Sequence, residues 1–226
     1  MMTYILIFGI FMLLSWLVSF QLKSRFKKYS VIPMNYGLPG YQVAEKMLRD
    51  NGLTGVKVLS VKGELTDHYD PSTKTINLSR EVYFGTHVAA GAVAAHECGH
   101  ALQHASAYTW LRMRSTLVPV VSFASNWVQW VLLGGILVIN IFPQLLLAGI
   151  ALFAVTTLFS FITLPVEINA SKRAMVWLKT AGVTDHITHP KAQDALRWAA
   201  YTYVVAALGS LATLLYYLMI YLGRRN

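Results

Sequence analysis

His96, Glu97 and His100 lie in one stretch, 89–104, that reads AAGAVAAHECGHALQH. On a helix, positions i and i+4 share a face. His96 and His100 can therefore offer two imidazoles to one metal ion, with Glu97 beside them to handle the proton of a metal-bound water. Zinc suits imidazole and carboxylate donors, and three protein ligands leave one position open. Such a set needs a helix to hold its spacing. Ala89, Ala90, Ala92, Ala94, Ala95, Ala101 and Leu102 favour one. Gly91 and Gly99 each cost about 1 kcal/mol relative to alanine, and they let a neighbouring helix or ligand approach closely. The same five letters also fit a helix that merely carries two histidines, so the rest of the chain has to decide. Cys98 is the single cysteine, which excludes an intrachain disulfide. Its i+2 offset from both histidines turns it away from the ligand face, as a packed small side chain.

The chain has 226 residues, 55% of them hydrophobic, and carries a net charge of +9. The apolar residues gather into long charge-free runs separated by polar blocks, the pattern of a polytopic membrane protein. The basic residues flank those runs. Their origin is therefore juxtamembrane, and the expected partner is the lipid bilayer and not a nucleic acid.

Residues 1–20 form an apolar run of bilayer length and read as an uncleaved N-terminal anchor, since a signal peptide would have a basic n-region and a small-residue cleavage site. Residues 21–115 form the first polar block. Within it, 40–51 (GYQVAEKMLRDN) is an amphipathic helix with Val43, Met47 and Leu48 on one face, stopped by Gly52. Segments 56–61 (VKVLSV) and 74–78 (KTINL) suit strands joined by the turn-rich 63–72. A small sheet there offers an edge that could pair with an extended substrate backbone, or simply packs against the histidine helix. His104 continues the i+4 series from His100 and lies near the site face, as a supporting group, an electrophile or a surface histidine.

Residues 116–165 form a transmembrane hairpin. In its first span Ser122, Ser125, Asn126 and Gln129 should face other helices and not lipid. Residues 166–197 are a second polar block, and 198–226 a last span whose Ala206, Ala207, Gly209, Ser210 and Ala212 suit close packing. Glu167 follows the hairpin directly. An unpaired carboxylate is costly at the end of a span, and a metal would satisfy it. A helix N-terminus just after Pro165 would also favour it. Its pairing with the upstream histidines supports the metal reading. Ser171, at i+4 from Glu167, could hydrogen-bond a liganding histidine. Arg173 could pair with a carboxylate or a substrate carbonyl. His186 and His189 have the wrong spacing, and Pro190 argues against a regular helix beside them. Twelve of the 19 Lys and Arg lie between the first two spans and five between the last two. That bias places both polar blocks, and a site close to the bilayer surface, on the cytoplasmic face of a cell membrane.

HECGHALQH, preceded by TDHYDPSTKTINLS and followed by LPVEINASKR, resembles the YugP-like family of membrane-bound neutral zinc metallopeptidases over nearly the whole chain. The resemblance implies a gluzincin-type site similar to those of the HtpX-like and CAAX-prenyl-endopeptidase membrane proteases. It implies one zinc per chain held by His96, His100 and Glu167, with Glu97 as catalytic base. The family usually has an aspartate where this chain has Asn169, which at i+2 from Glu167 lies off the ligand face. The expected fold is mainly α: about four transmembrane helices and a small α+β zincin-like domain, sheet edge plus histidine helix, at the membrane surface.

The expected chemistry is peptide-bond hydrolysis by a zinc-activated water, with Glu97 as general base. His104, Tyr69 and Arg173 are candidates to stabilise the oxyanion. The expected substrate is a peptide or a membrane protein. A zinc carrier would need ionisable residues inside its spans, and their interiors have none. A scaffold that only binds zinc would not need Glu97.

Overall fold

A computed structural model describes residues 2–223. Its elements run α1 (Met2–Tyr29), α2 (Gly40–Asp50), β1 (Lys57–Val61), β2 (His68–Asp70), β3 (Thr75–Ser79), α3 (Arg80–Phe84), α4 (Val88–Ala105), α5 (Thr109–Leu137), α6 (Pro143–Thr180) and α7 (His189–Gly223). Four of them, α1, α5, α6 and α7, are long and apolar enough to cross a membrane. The protein is a mainly α membrane protein with a small α+β domain. The chain divides into two compact units, one of residues 2–17, 112–164 and 202–223, the other of 18–111 and 165–201.

The first unit is built from apolar helices. Leu132, Leu146 and Ile150 form a buried cluster. A methyl group at Gly135 would lie 2.5 Å from the Leu146 backbone, so the two helices of the hairpin touch there. The Thr157 and Ser210 hydroxyls meet at 2.7 Å and tie α6 to α7, and Ala207 is fully buried. The expectation that Ser122, Ser125, Asn126 and Gln129 face other helices holds only for Gln129, which lines a groove with Phe153 of α6 and Thr213 and Tyr217 of α7; all four are exposed, and Ala124 is the buried residue among them. The face of α5 that packs is the one with small and aliphatic side chains, which interdigitate more closely than amides do.

In the second unit β3 is the middle strand, parallel to β1 and antiparallel to β2. Ile76 and Leu78 are fully buried, which explains why this strand lies inside. Strand β2 falls in the segment that reads as a turn, because His68-Tyr69-Asp70 has no apolar alternation. Asp70 makes it possible: its carboxylate accepts from the Ser72 N–H and from the Ser72 and Thr73 hydroxyls, folding the chain back onto β3. Helix α2 buries Val43, Ala44, Met47 and Leu48 in the common core, and Gly52 follows it with φ +74. Its left-handed conformation suits glycine as the stop.

Two prolines differ from expectation. Pro165 lies inside α6, which runs unbroken from Pro143 to Thr180, so Glu167 is in a helix interior and not in a first turn. The helix-terminus reading of that carboxylate is thereby removed. Pro190 is the second residue of α7, in the first turn, where its missing N–H has no intrahelical partner to lose. Each helix also outruns its apolar run, so the segment boundaries 20/21, 115/116, 165/166 and 197/198 fall inside α1, α5, α6 and α7.

Helix α4 starts at a histidine. His87 Nδ1 accepts a hydrogen bond from the Ala90 N–H at 3.1 Å, the role an N-cap serine or aspartate usually has. Burial lowers the pKa of His87 below its ordinary value. The folded state thus favours the neutral ring, and its contribution is complete above the unfolded pKa near 6.5 and lost as pH falls through the lowered folded value. Amide exchange in the first turn of α4 should accelerate across that window. His87→Asn, which keeps an acceptor, should flatten the response; His87→Ala should speed exchange at every pH, by about 1 kcal/mol of lost capping.

Candidate metal centre

Helices α4 and α6 meet where neither has a large side chain. A methyl at Gly99 would lie 2.5 Å from the Ala170 carbonyl oxygen and 3.0 Å from its Cα. This contact is flanked by His96 and His100 on α4 and by Glu167 and Ser171 on α6. His96 Nε2 and His100 Nε2 are 3.2 Å apart. Glu167 Oε2 lies 3.3 Å from the first and 3.4 Å from the second. Zinc bonds of about 2.0–2.1 Å in tetrahedral geometry separate their donors by about 3.3–3.4 Å. The three atoms therefore match one face of such a tetrahedron. Among the described residues, this is the only group of three or more His, Cys, Asp or Glu side chains that could hold a metal ion.

The local electrostatics suit a cation. Burial pulls the His100 pKa down, but its hydrogen bond to Glu167, the charges of Glu97 and Glu167 and the bond to Gln103 outweigh burial and raise it. A field that holds a proton there also favours a dication. The Glu97 side chain is buried, at 7% exposure. Among the described residues it makes no hydrogen bond or ion pair, which leaves its lone pairs available. Cys98 points away: its thiol meets the Ala44 carbonyl, and burial, with the Glu97 charge, pushes its pKa well up, so it packs as a neutral thiol.

Each imidazole is held from behind. Ser171 Oγ lies 3.0 Å from His96 Nδ1, the contact that its spacing from Glu167 suggests. Gln103 Oε1 lies 3.1 Å from His100 Nδ1. Gln103 is fully buried, and its Nε2 donates to the Val166 carbonyl at 2.7 Å and to Asn169 Oδ1 at 3.1 Å. Arg173 Nε donates to the same Asn169 oxygen at 2.8 Å. Sequence reasoning missed Gln103. Its only signal is the i+3 offset from His100, because its partners on α6 lie more than sixty residues away. Asn169 is off the ligand face, yet it joins this network.

The remaining candidates fall elsewhere. Tyr69 on β2 and His104 on α4 meet each other, hydroxyl to Nδ1, at 2.9 Å. The Arg173 guanidinium lies over the Tyr108 ring at 5.9 Å. His189 Nδ1 meets the Thr184 hydroxyl at 3.0 Å, and neither it nor His186 joins the cluster.

No solved structure matches the chain. "Putative membrane protease YugP" of Bacillus subtilis (strain 168) is 43% identical over 213 residues, covering 94% of each chain. The family model described as "Putative neutral zinc metallopeptidase" matches residues 4–222, so both the apolar helices and the histidine–glutamate cluster lie within the match. With nearly its whole length covered, the chain belongs to that zinc metallopeptidase family.

Proposed function

We propose that this protein is a membrane-integral zinc metallopeptidase that hydrolyses peptide bonds, with His96, His100 and Glu167 as the zinc ligands and Glu97 as the general base. The observation that carries the reading is the 3.2–3.4 Å triangle of donor atoms with a buried carboxylate one residue from His96. Zinc in such a site supplies Lewis acidity, lowering the pKa of water towards about 7 and polarising the scissile carbonyl.

The chain's own residues do the rest. Glu97 accepts the proton of the attacking water and passes it to the leaving amine. Tyr69 and His104 are candidates for the charge that develops on the carbonyl oxygen: with the Tyr69 hydroxyl donating to His104 Nδ1, the His104 Nε2–H is the donor the pair has left. Arg173 gives its Nε–H to Asn169 and lies over the Tyr108 ring, and its remaining guanidinium N–H groups keep it among the candidates. Strand β2 is an outer strand of the sheet and carries Tyr69, so an extended peptide pairing along it would pass beside that donor pair.

Gln103 orients His100. The Val166 carbonyl can only accept and Arg173 can only donate, so the amides between them have one satisfied orientation. Arg173 fixes the Asn169 oxygen, Asn169 and Val166 fix the Gln103 nitrogen, and Oε1 is left for His100 Nδ1. That nitrogen must then carry the hydrogen, which leaves Nε2 as the free donor towards the metal.

Helix length supports a site near the bilayer surface. Glu167 lies about 36 Å along α6 from Pro143, beyond a hydrocarbon core of about 30 Å. The basic residues support a cytoplasmic face, and the expected substrates are membrane proteins or their juxtamembrane segments.

Cleavage of an unfolded reporter such as casein by the purified protein should stop on zinc chelation and return with zinc. Glu97→Gln should keep stoichiometric zinc and lose activity by about 10²–10⁴-fold; turnover close to wild type would remove Glu97 from its role. Gln103→Met should weaken zinc binding by about 10–100-fold in a chelator competition with the helix content intact. Asn169→Asp, which keeps the acceptor, should stay near wild type. Equal zinc affinity in Gln103→Met and wild type would show that the amide only packs.

A further inference from the structure

Helix α6 carries Asn169, Lys172 and Arg173 at i, i+3 and i+4, so the three share one face. That face lines a pocket of about 390 Å³, which Leu102 of α4 and Trp177 of α6 also line. Leu102 is two residues from His100, and Asn169 is two residues from Glu167, a turn of about 200° on each helix. Around α4 Gly99 falls between His100 and Leu102, and around α6 Ala170 falls between Glu167 and Asn169. The contact of Gly99 with Ala170 therefore separates the pocket from the candidate metal centre.

The three side chains present donors. Asn169 Oδ1 already accepts from Arg173 Nε and Gln103 Nε2, which leaves Asn169 its two Nδ2 hydrogens. The terminal nitrogens of Arg173 and the Lys172 ammonium make no hydrogen bond or ion pair among the described residues. No carboxylate lines the pocket. Asp50, which accepts from the Trp177 indole N–H, is paired with Lys46 at 2.8 Å. Two cations and an amide N–H without a counter-ion suit an anion. A carboxylate has two oxygens to share among three side chains, whereas a phosphate group has at least one for each. We propose that this pocket binds a phosphate group, either free or carried on a lipid headgroup. The assignment gives the remaining N–H groups of Arg173 a bound anion in place of the reacting carbonyl. It stands apart from the zinc reading, since no lining residue is a proposed ligand.

The test titrates inorganic phosphate into the purified full-length protein in a maltoside detergent, which carries no phosphate, with zinc bound and again after chelation. Saturable binding with equal affinity in both states is expected, and it separates this pocket from an anion resting on the metal. Lys172→Glu should weaken that binding at least about tenfold. Lys62→Glu, an equal change of charge just after β1, should not. Asn169→Asp is the second variant. It keeps the acceptor for Arg173 and Gln103 but exchanges the free N–H donors for a carboxylate oxygen, so it should lose phosphate with the helix content unchanged. Added phosphatidylglycerol should displace phosphate if a headgroup is the occupant and leave it bound if the ligand is soluble. No saturable binding, binding only with zinc present, or equal affinity in Lys172→Glu and wild type would overturn the proposal.

Discussion

The candidate site depends on the contact between Gly99 and the backbone of α6. Any side chain at Gly99 would meet the Ala170 carbonyl at 2.5 Å, and a backbone cannot turn aside as a flexible side chain can. Glycine in mid-helix costs about 1 kcal/mol. What it permits is a crossing so close that a carboxylate from α6 reaches two imidazoles on α4 at bonding separation. Gln103 then grips α6 at Val166 and at Asn169, on either side of Glu167. Glu167 is therefore held by backbone proximity and by a buried amide, not by its own side chain alone. A carboxylate buried to this degree would be costly without a cation or proton to meet it. That cost is the physical reason to read the cluster as a metal centre.

One continuous helix serves two environments. Helix α6 begins in an apolar run, passes Pro165 without breaking and continues to Glu167 and the Gln103 network.

Much of this was legible beforehand, for identifiable reasons. His96, Glu97 and His100 are local, and helical spacing alone puts both imidazoles on one face. Ser171 was legible because it repeats the spacing of Glu167. Strand β2 was hidden because its order comes from the Asp70 turn and not from apolar alternation. The helix through Pro165 was hidden because proline usually marks a boundary, and a long apolar helix supported by its neighbours absorbs it. Gln103 was hidden because a glutamine beside two histidines looks like an exposed helix position, and its burial follows only from how α6 lies on α4.

The most direct measurement is to locate the ion. Zinc-edge anomalous scattering from crystals of the purified protein should give a single strong peak within about 2.0–2.2 Å of His96 Nε2, His100 Nε2 and a Glu167 oxygen. A zinc peak elsewhere, or one bound by the two histidines with Glu167 out of reach, would contradict the assembly of the site by α4 and α6.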